Sequence, residues 1–473
     1  MLINRWKGLK QLLLKCLLLS CALSSMSLSA REGDQSLVSE GTGRYLGWKD
    51  TLTWWRSLRH SRDFFRRYAY DYRSTSFVSE IDVDGTQLSS TRYLIASSRL
   101  LYGLAHSMGR NEGFQKMAEQ QARFILKKMT SEDSQGPYFL SAVDANGFDL
   151  NKQTVLLVEE QAYGLCGLVA LYSRTRHPAL LKKIESLYHS FYSRFHDDKF
   201  GGFFDGFDLY TGKPVPTKSF DSTVSVATAF LLELAQLKTP HQHRYVSDLE
   251  ELLDIMAEHF PDPETDWIVE NFAVDWQPAW RDWQRQDISE ENTVVSQTQT
   301  VTIGVTGHNY QLAWVLQRGG TEFPSLNAMK KAAYLRVARQ VLSAMMNSSS
   351  WDREFGGVFD TFVRETDSPM WHKNKVWWQQ AEAMLAMGKA VSIGLFRRDR
   401  ETEILLSNHL AKTHEFYFSH FIDEEEGGEF SVVKREGEPV VGEPKGQKSK
   451  SIYHTAELAR YMIKYAQQIE SKQ

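Results

Sequence analysis

Apolar residues recur along most of this chain at the spacing of one helical face, and the alternation typical of strands is rare. This pattern predicts about twelve amphipathic helices. They are expected at roughly 51–68, 88–108, 113–129, 156–175, 178–194, 221–238, 243–259, 307–318, 326–346, 376–395, 400–417 and 452–470. Segments rich in small and apolar residues, such as 160–172 and 378–392, alternate with more charged segments, such as 178–194 and 400–417. The alternation indicates buried helices that are each followed by a helix of an outer layer.

A repeated phrase separates these helix pairs. Asp197–Phe204 reads Asp-Asp-Lys-Phe-Gly-Gly-Phe-Phe; it recurs as Asp352–Phe359 and Asp423–Phe430, with a degraded copy at Ser134–Phe139. A pair of glycines lets the backbone adopt positive φ, so each copy is expected to turn the chain sharply from an outer helix into a short hairpin strand. Copies at matching places favour an internal repeat over unrelated helix ends.

Six helix pairs joined by short hairpins predict an all-α fold, an (α/α)6 toroid with short β-hairpins in the connecting loops. An open α-solenoid is the alternative, but twelve helices are what a closed ring of six pairs requires. The ring is expected to take residues 49–470, with residues 31–48 as a separate N-terminal segment. The mouth of such a ring is concave and lined by the starts of the inner helices, where a small-molecule site is expected.

Residues 1–30 have the order of an export signal. Four basic residues and no acidic one precede a short apolar run, Cys16–Met26, which ends in small residues. The run is too short to span a bilayer, so a cleaved leader is favoured over a short membrane anchor, and no transmembrane span is expected after its removal. We therefore expect a periplasmic or secreted protein. Cys21, in a poor lipobox, is a weak candidate for a lipid anchor.

Composition narrows the function classes. The chain of 473 residues is 42% hydrophobic and carries a net charge of −4 without basic blocks, which argues against nucleic acid as a partner. Aromatic residues reach 12%, which suits both a large core and a sugar-binding cleft. After the leader, Cys166 would be the remaining cysteine, so neither an intramolecular disulfide nor a cysteine metal site is expected.

The segment Thr306–Leu316 is the richest in candidate chemistry. Thr306 and Gly307 can begin a helix, and His308 and Gln311 then share one face. The dipole at a helix N-terminus opposes an imidazolium, which suits a neutral His308 that accepts a proton near neutral pH. A histidine in a first turn can instead serve only as a cap or a hydrogen-bonding group.

Three further segments carry candidate groups. Trp378 and Glu382 lie one helical turn apart, so a ring and a carboxylate could face one cavity, although Glu382 could equally pair with a cation. His454 stands at the start of the last helix, as His308 does in its own. Arg92 lies in an otherwise apolar stretch, and a buried arginine needs either a structural carboxylate or a ligand oxygen.

Together these segments resemble the N-acylglucosamine 2-epimerase family, which includes cellobiose 2-epimerases, mannose isomerases and sulfoquinovose isomerases. The family's marks are a Gly-His-x-x-Glu helix start, a Lys-x-Trp-Trp-x-Gln-Ala-Glu helix, a Tyr-His pair near the C-terminus and an Arg on the first inner helix. The matching residues, in order along Trp54–Tyr461, are Arg92, Gly307-His308, Lys375–Glu382 and Tyr453-His454.

The resemblance implies the (α/α)6 fold and an enzyme that epimerises or isomerises a reducing sugar. It implies that His308 and His454 are the acid/base pair: one takes the C2 proton of the open-chain sugar, an enediolate forms, and the proton returns to C2 or to C1. Arg92 would stabilise the oxyanion. The other implied sugar contacts are Lys218, Gln311, Trp378, Gln379 and Glu382. Neither a metal nor another cofactor is implied, the partner is a small-molecule sugar, and a homodimer is one possible assembly.

The chain departs from the family at several of these places. Lys218–Thr228 lacks both histidines and the glutamate of the family's Lys-Ser-Met-Asn-Thr-His-x-His-x-x-Glu, and Gln311 replaces the glutamate after His308. Glu159 stands where the family has Tyr, and Ser449 stands where it has Trp. Either the protein acts on a different sugar, or it has lost catalysis and only binds carbohydrate.

Two other interpretations stay open. Toroids of this kind also host glycosidases and polysaccharide lyases, and an inverting hydrolase needs two separated carboxylates, for which Glu159, Asp221, Asp360 and Glu382 are candidates. A pure interaction scaffold is favoured if the mouth of the ring is closed or apolar. The long acidic segment at about 260–305 is expected to form a lid or rim over the cavity. Its tryptophans are Trp267, Trp276, Trp280 and Trp283.

Overall fold

The computed structural model describes residues 47–279, 282–284, 287–288, 294–295, 300–364, 368–369 and 373–471. The predicted leader 1–30, with Cys21, and most of the segment 31–48 lie outside the described residues, as does Trp280. Gly47–Gln473 forms one compact unit. None of the helices in the described ranges is long and apolar enough to cross a membrane.

Twelve helices form in the described residues, and each overlaps a predicted one. They are α1 Thr51–Tyr68, α2 Leu94–Ser107, α3 Glu112–Lys128, α4 Val158–Thr175, α5 Pro178–Phe195, α6, α7 Gln242–His259, α8 Thr306–Glu322, α9 Ala328–Asn347, α10 Trp377–Ile393, α11 Arg400–His420 and α12 Tyr453–Glu470. Helix α6 consists of the π-helical turns Asp221–Ser225 and Ala227–Leu231 and the α-helical turn Leu232–Leu234. A 3-10 turn, Gly47–Lys49, precedes α1.

The even-numbered helices form an inner ring. Each packs on the next, from α2 through α4, α6, α8 and α10 to α12, and α12 packs back on α2. The odd-numbered helices pack around them as an outer layer. The inner helices are apolar on nearly all sides; α4, for example, is buried without interruption from Gln161 to Tyr172. The predicted toroid is confirmed, and the open solenoid is wrong because the last inner helix contacts the first.

Short antiparallel strands occupy the connections. Their pairs are β1–β2, β3–β6, β4–β5, β7–β8–β9, β10–β11, β12–β15–β16–β17, β13–β14 and β18–β19. The strands are β1 Tyr70–Asp71, β2 Ser76–Phe77, β3 Arg92–Tyr93, β4 Thr130–Asp133, β5 Gly136–Phe139, β6 Ala142–Val143, β7 Val155–Leu157, β8 Gly206–Asp208, β9 Lys213–Val215, β10 Thr217–Ser219, β11 Asn271–Ala273, β12 Asp282–Gln284, β13 Asp287–Ile288, β14 Val294–Val295, β15 Thr300–Val305, β16 Thr361–Val363, β17 Ser368–Pro369, β18 Lys375–Val376 and β19 Val432–Val433.

Inner and outer helices begin differently. Four of the described outer helices have capping side chains; for example, Asp50 accepts a hydrogen bond from the backbone of Leu52, and Asn111 accepts one from Phe114. The inner helices α2, α4, α8 and α10 continue directly from a strand, and their first N–H groups bond to carbonyls of the next hairpin. Thr306 N donates to Asp360 O at 3.1 Å, and Trp377 N donates to Ser431 at 3.1 Å. The inner helix starts are therefore tied to neighbouring hairpins, which lines them up at one end of the ring.

A buried ion pair lies beneath each of six turns that follow the outer helices; we call these pairs the hairpin clamps. Three use the predicted repeat. Its aspartate pairs with a lysine, and the lysine also donates to the carbonyl of the first glycine, at 2.7 Å from Lys375 to Gly356. Both glycines have positive φ there, 80° at Gly356 and 76° at Gly357, which disfavours a side chain.

The six clamps share one pattern, an aspartate after an outer helix and a cation that is mostly buried. The pairs are Asp71–Arg92, Asp133–Arg194, Asp197–Lys218, Asp262–Arg364, Asp352–Lys375 and Asp423–Lys445. The degraded repeat uses Arg194, which reaches Asp133 and the carbonyl of Gly136. Two clamps, Asp71–Arg92 and Asp262–Arg364, have no glycine in the turn, and the sequence therefore does not reveal them as repeats.

Two predicted sugar contacts prove to be clamp cations. The guanidinium of Arg92 bonds to Asp71 at 2.7 Å and to Ser74 at 3.0 Å. The amine of Lys218 lies 2.7 Å from Asp197 and donates to Gly201 O. Both are buried within their own hairpins, so the expectation that they bind substrate is corrected: their charges are already satisfied by protein oxygens.

Replacing Lys218 by methionine should destabilise the fold, because it leaves the mostly buried Asp197 carboxylate without its counter-ion. We expect a loss of about 3 kcal/mol in the free energy of unfolding, measured by urea denaturation followed by circular dichroism. The matched control is Lys434→Met, which breaks the exposed pair with Glu438 and should leave the urea midpoint close to that of the wild type. Equal losses in the two variants would show that the clamp is not a stabilising unit.

Candidate active site

A cavity of about 170 Å³ opens at the end of the ring where the inner helices begin. This is many times the volume that one water molecule needs, so the mouth of the ring is open. Its lining is largely polar and comes from all six inner helices or the segments just before them: Arg99, Glu159, Tyr163, Asp221, Ser225, His308, Gln311, Trp377, Trp378, Ser449 and His454. A closed or apolar mouth, the condition for a pure scaffold, is not what the structure has.

His308 lies in the first turn of α8 and reaches the cavity, as the sequence predicts. Its ring stacks on Phe220, with 3.8 Å between centroids, and its Nδ1 lies 3.3 Å from an oxygen of Glu270. Burial disfavours the charged ring, but the carboxylate of Glu270, aided by Asp221, more than offsets this and raises the pKa of His308. The sequence argument from the helix dipole pointed towards a more neutral ring, because it did not include this carboxylate.

Glu270 is a candidate functional residue that sequence reasoning missed. It lies just before β11, far from His308 in the chain, and its second oxygen accepts a hydrogen bond from Val305 N at 2.8 Å. That bond fixes the carboxylate beside the start of α8. The available signal was an acidic residue in the long segment before α8, but nothing in the pattern distinguished Glu270 from its acidic neighbours.

His454 lies in the first turn of α12 and lines the same cavity. Its Nδ1 is 3.2 Å from Glu382, which is 0% exposed and lies behind the ring rather than in the cavity wall. Burial, with the positive charges of Arg99 and Lys450, lowers the pKa of His454 well below the ordinary value. The expectation that Glu382 contacts sugar is therefore corrected, because its carboxylate supports the histidine.

Trp378 lies near both histidines. Its ring centroid is 5.4 Å from that of His308 and 6.0 Å from that of His454. The cavity thus has two imidazoles beside one indole, and Gln311 lines it as predicted. Gln379 does not line the cavity. It accepts a hydrogen bond from Gly307 N at 2.7 Å and donates to Asp360, so it fixes the start of α8 instead of binding a ligand.

Arg99 supplies the guanidinium at the cavity. It lies inside α2 over the ring of Tyr163 at 3.9 Å, and one nitrogen donates to Ser449 O at 2.7 Å. Its Nε is buried without a protein acceptor. The helix starts at Leu94 and not near residue 88 as predicted, which places Arg92 in a strand and leaves Arg99 as the arginine that faces the ring axis.

Two carboxylates form the wall beside His308. Glu159 on α4 and Asp221 on α6 both line the cavity, whereas Asp360 and Glu382, the other acids considered for hydrolysis, do not. Burial, then repulsion from Asp221, raises the pKa of Glu159 to about 7, against the attraction of Arg99. Neither Glu159 nor Asp221 was among the predicted sugar contacts. The sequence signal was the replacement of the family's tyrosine by Glu159.

One grouping in the described part of the chain is compact enough for a metal ion. The donor atoms of Glu382, His454 and Glu457 lie within 4.8 Å of one another, and all three residues are buried. A proton held between the two carboxylates satisfies the same need for charge compensation.

The segment expected to form a lid is partly in the core. Trp267 and Trp276 are buried; Trp276 donates to the carbonyl of Phe200 at 2.9 Å and packs against Gly202. The predicted lid or rim is wrong for these two residues, because both are buried and Trp276 packs against the turn at Gly202. The side chain of Trp283 lies outside the described set.

Comparison with known proteins places the sequence in context. The sequence model of a family described as N-acylglucosamine 2-epimerase (GlcNAc 2-epimerase) matches residues 76–457. A search of curated proteins finds no match.

Solved structures share the fold. A cellobiose 2-epimerase from Spirochaeta thermophila superposes with a TM-score of 0.72 at 19% identity, over 89% of this chain and 98% of its own. A D-mannose isomerase gives 0.71 at 17% identity, over 89% and 99%. A GH76 α-mannanase from Bacteroides thetaiotaomicron gives 0.53 at 11% identity, over 90% and 98%. At these identities the similarity concerns the fold.

Substituting Gly307 by alanine should disturb the start of α8. An added Cβ would lie 2.6 Å from the Trp378 ring and 2.7 Å from Gln379, so one of them has to move. We expect a loss of about 2 kcal/mol in unfolding free energy and an altered near-ultraviolet circular dichroism signal. Gly113→Ala, near the exposed start of α3, is the control and should change stability by less than about 1 kcal/mol. A wild-type spectrum and stability in Gly307→Ala would contradict this packing.

Proposed function

The chain belongs to the N-acylglucosamine 2-epimerase family, and we propose that it epimerises or isomerises a reducing sugar, with one histidine taking a proton from the sugar and a second histidine giving one back. One observation carries the proposal: His308 and His454 line the same cavity, and each has a carboxyl group beside its Nδ1. That arrangement leaves Nε2 of both rings for a ligand and gives each ring a partner that orients it.

His308 is assigned the role of base. The carboxylate of Glu270 lies 3.3 Å from Nδ1, which favours a proton on Nδ1 and leaves the lone pair on Nε2. In the open-chain sugar the carbonyl at C1 acidifies the proton on C2. Transfer of that proton to Nε2 gives an imidazolium, which Glu270 stabilises, and an enediolate in the cavity.

Arg99 is assigned the stabilisation of the enediolate. Its positive charge lies at the cavity, and its Nε has no acceptor in the protein. In a partly desolvated site, a fixed guanidinium stabilises developing negative charge more than water does, since it needs no reorganisation during the reaction. This is the role that the family resemblance implied for Arg92.

His454 is assigned the return of a proton. It lines the same cavity as His308, and both rings lie near Trp378. The proposal requires that the two rings reach a bound sugar from different sides. A proton returned to C2 on the second face inverts that carbon, whereas a proton returned to C1 converts an aldose into a ketose. Both outcomes use the same groups.

Hydrolysis is the second candidate, because Glu159 and Asp221 both line the cavity. The two acids stand at the starts of neighbouring inner helices, α4 and α6. An inverting hydrolase instead needs its two acids on opposite sides of the bond, with room for water. Release of new reducing ends from an oligosaccharide would favour hydrolysis over isomerisation.

Substitution of either histidine by glutamine should stop proton exchange. We expect the wild-type protein to incorporate deuterium from D₂O at C2 of one sugar in a panel of aldoses, ketoses and disaccharides, followed by NMR. His308→Gln and His454→Gln should each lower that rate by about 10²-fold or more, because proton transfer by a positioned side chain contributes at least that much.

His189→Gln, on the exposed face of α5, serves as the control and should exchange at the wild-type rate. The proposal fails if no sugar of the panel gains deuterium. Sugar-induced thermal stabilisation without exchange would then identify a protein that only binds carbohydrate.

Glu270→Gln should move the acid limb of the pH profile. The base must be deprotonated, so the rate falls as pH drops through the pKa of His308, which Glu270 holds above its ordinary value. Without the carboxylate that pKa falls, and the limb should move to lower pH by about one unit. The maximal rate should also fall, because the neutral amide stabilises the imidazolium less. An unmoved limb would separate Glu270 from the base.

Export remains a proposal that rests on the pattern of residues 1–30. A homodimer also remains a proposal. We propose that the mature protein acts in the periplasm or outside the cell. The acidic balance of the chain and the single cysteine after the leader are compatible with that destination.

A further inference from the structure

A second carboxyl group lies behind His454. Glu382 on α10 contacts Nδ1 of His454 at 3.2 Å, and Glu457 lies one turn after His454 on α12, where it accepts a hydrogen bond from Tyr453 Oη at 3.1 Å. The two carboxyl groups are 0% and 2% exposed, and their donor atoms lie within 4.8 Å of His454 and of each other. Two acids and an imidazole therefore share one buried site.

The cluster holds no salt-bridging cation. Each carboxyl group has its second oxygen buried without a hydrogen-bond partner, and none of the ion pairs found in the described ranges joins Glu382 or Glu457 to a lysine or arginine. By contrast, the mostly buried Glu322 elsewhere in the ring is held by Arg318, Lys389 and Lys464. Two adjacent buried carboxylates without a cation cannot both remain charged, so one of them keeps a proton.

The surroundings select Glu382 as the group that keeps it. Glu457 receives the Tyr453 hydroxyl and feels the positive charge of Arg318, so its pKa rises only to about 7, mainly through burial. Burial, then repulsion from Glu457, raises the pKa of Glu382 well above the ordinary value. Burial, and after it the positive charges of Arg99 and Lys450, lowers the pKa of His454 and keeps the ring neutral.

We propose that Glu457 keeps Glu382 protonated, so that Glu382 donates its proton to Nδ1 of His454 and the ring carries its own proton on Nε2. The use of this proton in catalysis rests on the proposed function. His454 then starts the reaction as a proton donor, whereas His308, beside the ionised Glu270, starts as the acceptor. Glu457 is a positioning residue: it acts through Glu382 and does not touch the substrate.

The proton balance closes without another reactant. As Nε2 of His454 gives its proton to the enediolate, Nδ1 takes the proton of Glu382. The imidazole stays neutral, and the negative charge of the enediolate ends on the Glu382 carboxylate. His308 then releases the proton it took from the sugar to solvent, and Glu382 regains a proton from solvent. The state with two charged carboxylates is therefore transient, and the resting protein is restored. The chemical difference between two histidines that look alike in sequence is thus a difference between their carboxyl partners.

The tautomers can be measured without any substrate. In protein labelled with ¹⁵N in its 14 histidines, long-range ¹H–¹⁵N spectra distinguish a ring protonated at Nδ1 from one protonated at Nε2, and His454→Asn and His308→Asn assign the signals. At about neutral pH we expect Nε2–H for His454 and Nδ1–H, or the imidazolium, for His308. His454 in the Nδ1–H form in the wild-type protein would overturn the proposal.

Glu457→Gln tests the role of the second acid. The amide carries no charge and can donate to Glu382, so Glu382 should ionise, His454 should change to the Nδ1–H form, and its pKa should rise by about one unit or more. Glu160→Gln makes the same exchange at a partly buried acid of α4 outside the cavity wall and should leave His454 unchanged. An unchanged tautomer in Glu457→Gln would overturn the proposal.

Infrared spectroscopy gives a readout that does not depend on the folding of one variant. The wild-type protein should show the C=O stretch of a protonated carboxyl at neutral pH, and Glu382→Gln should remove it; absence of that band in the wild type overturns the proposal. None of these measurements uses a sugar, so they test this inference separately from the proposed function. If the expected tautomers are found but no sugar exchanges deuterium, the proposed function is wrong and this inference is still supported.

Discussion

An ion pair between a carboxylate and a buried cation lies under each of the six turns that follow the outer helices. These pairs fix the positions of the hairpins around the ring of helices. Removing both charges of such a pair from water is costly, and only short contacts with additional hydrogen bonds offset that cost. Lys375 shows the solution: its amine is 0% exposed, lies 3.1 Å from Asp352, and donates to the carbonyls of Gly356 and Arg435. Because the cation often stands just before an inner helix, the clamp couples the place of the turn to the place where that helix begins.

The positions of these helix starts determine the geometry of the cavity. Lys375 lies in the strand that runs directly into α10, and the first turn of α10 carries Trp378 and Gln379. Gln379 in turn binds the backbone of Gly307 and the side chain of Asp360, which fixes the first turn of the neighbouring helix. Proton transfer depends on positions held to a fraction of an ångström. A chain of backbone and side-chain hydrogen bonds between adjacent hairpins supplies that control.

The fold was accessible from the sequence because its signals are local. Helical spacing of apolar residues and the glycine pairs at Gly201, Gly356 and Gly427 depend only on near neighbours in the chain. The roles of Arg92 and Lys218 were not accessible, since a buried cation is equally well explained by a structural acid or by a ligand. A signal did exist: Arg92 follows its aspartate by 21 residues, and a lysine follows the aspartate of the last repeat by 22.

The departures from the family pattern still leave a carboxyl group beside each of the two histidines. The pattern places a glutamate one turn after the histidine, where this chain has Gln311, yet a carboxylate still lies 3.3 Å from Nδ1 of His308. It comes from Glu270, on a different segment, and Val305 N holds it in place. An imidazole that acts as a base needs a negative charge close to its Nδ1. The helical toroid brings several chain segments to that position. A missing acid in a motif therefore says little about basicity until the neighbouring hairpins are known.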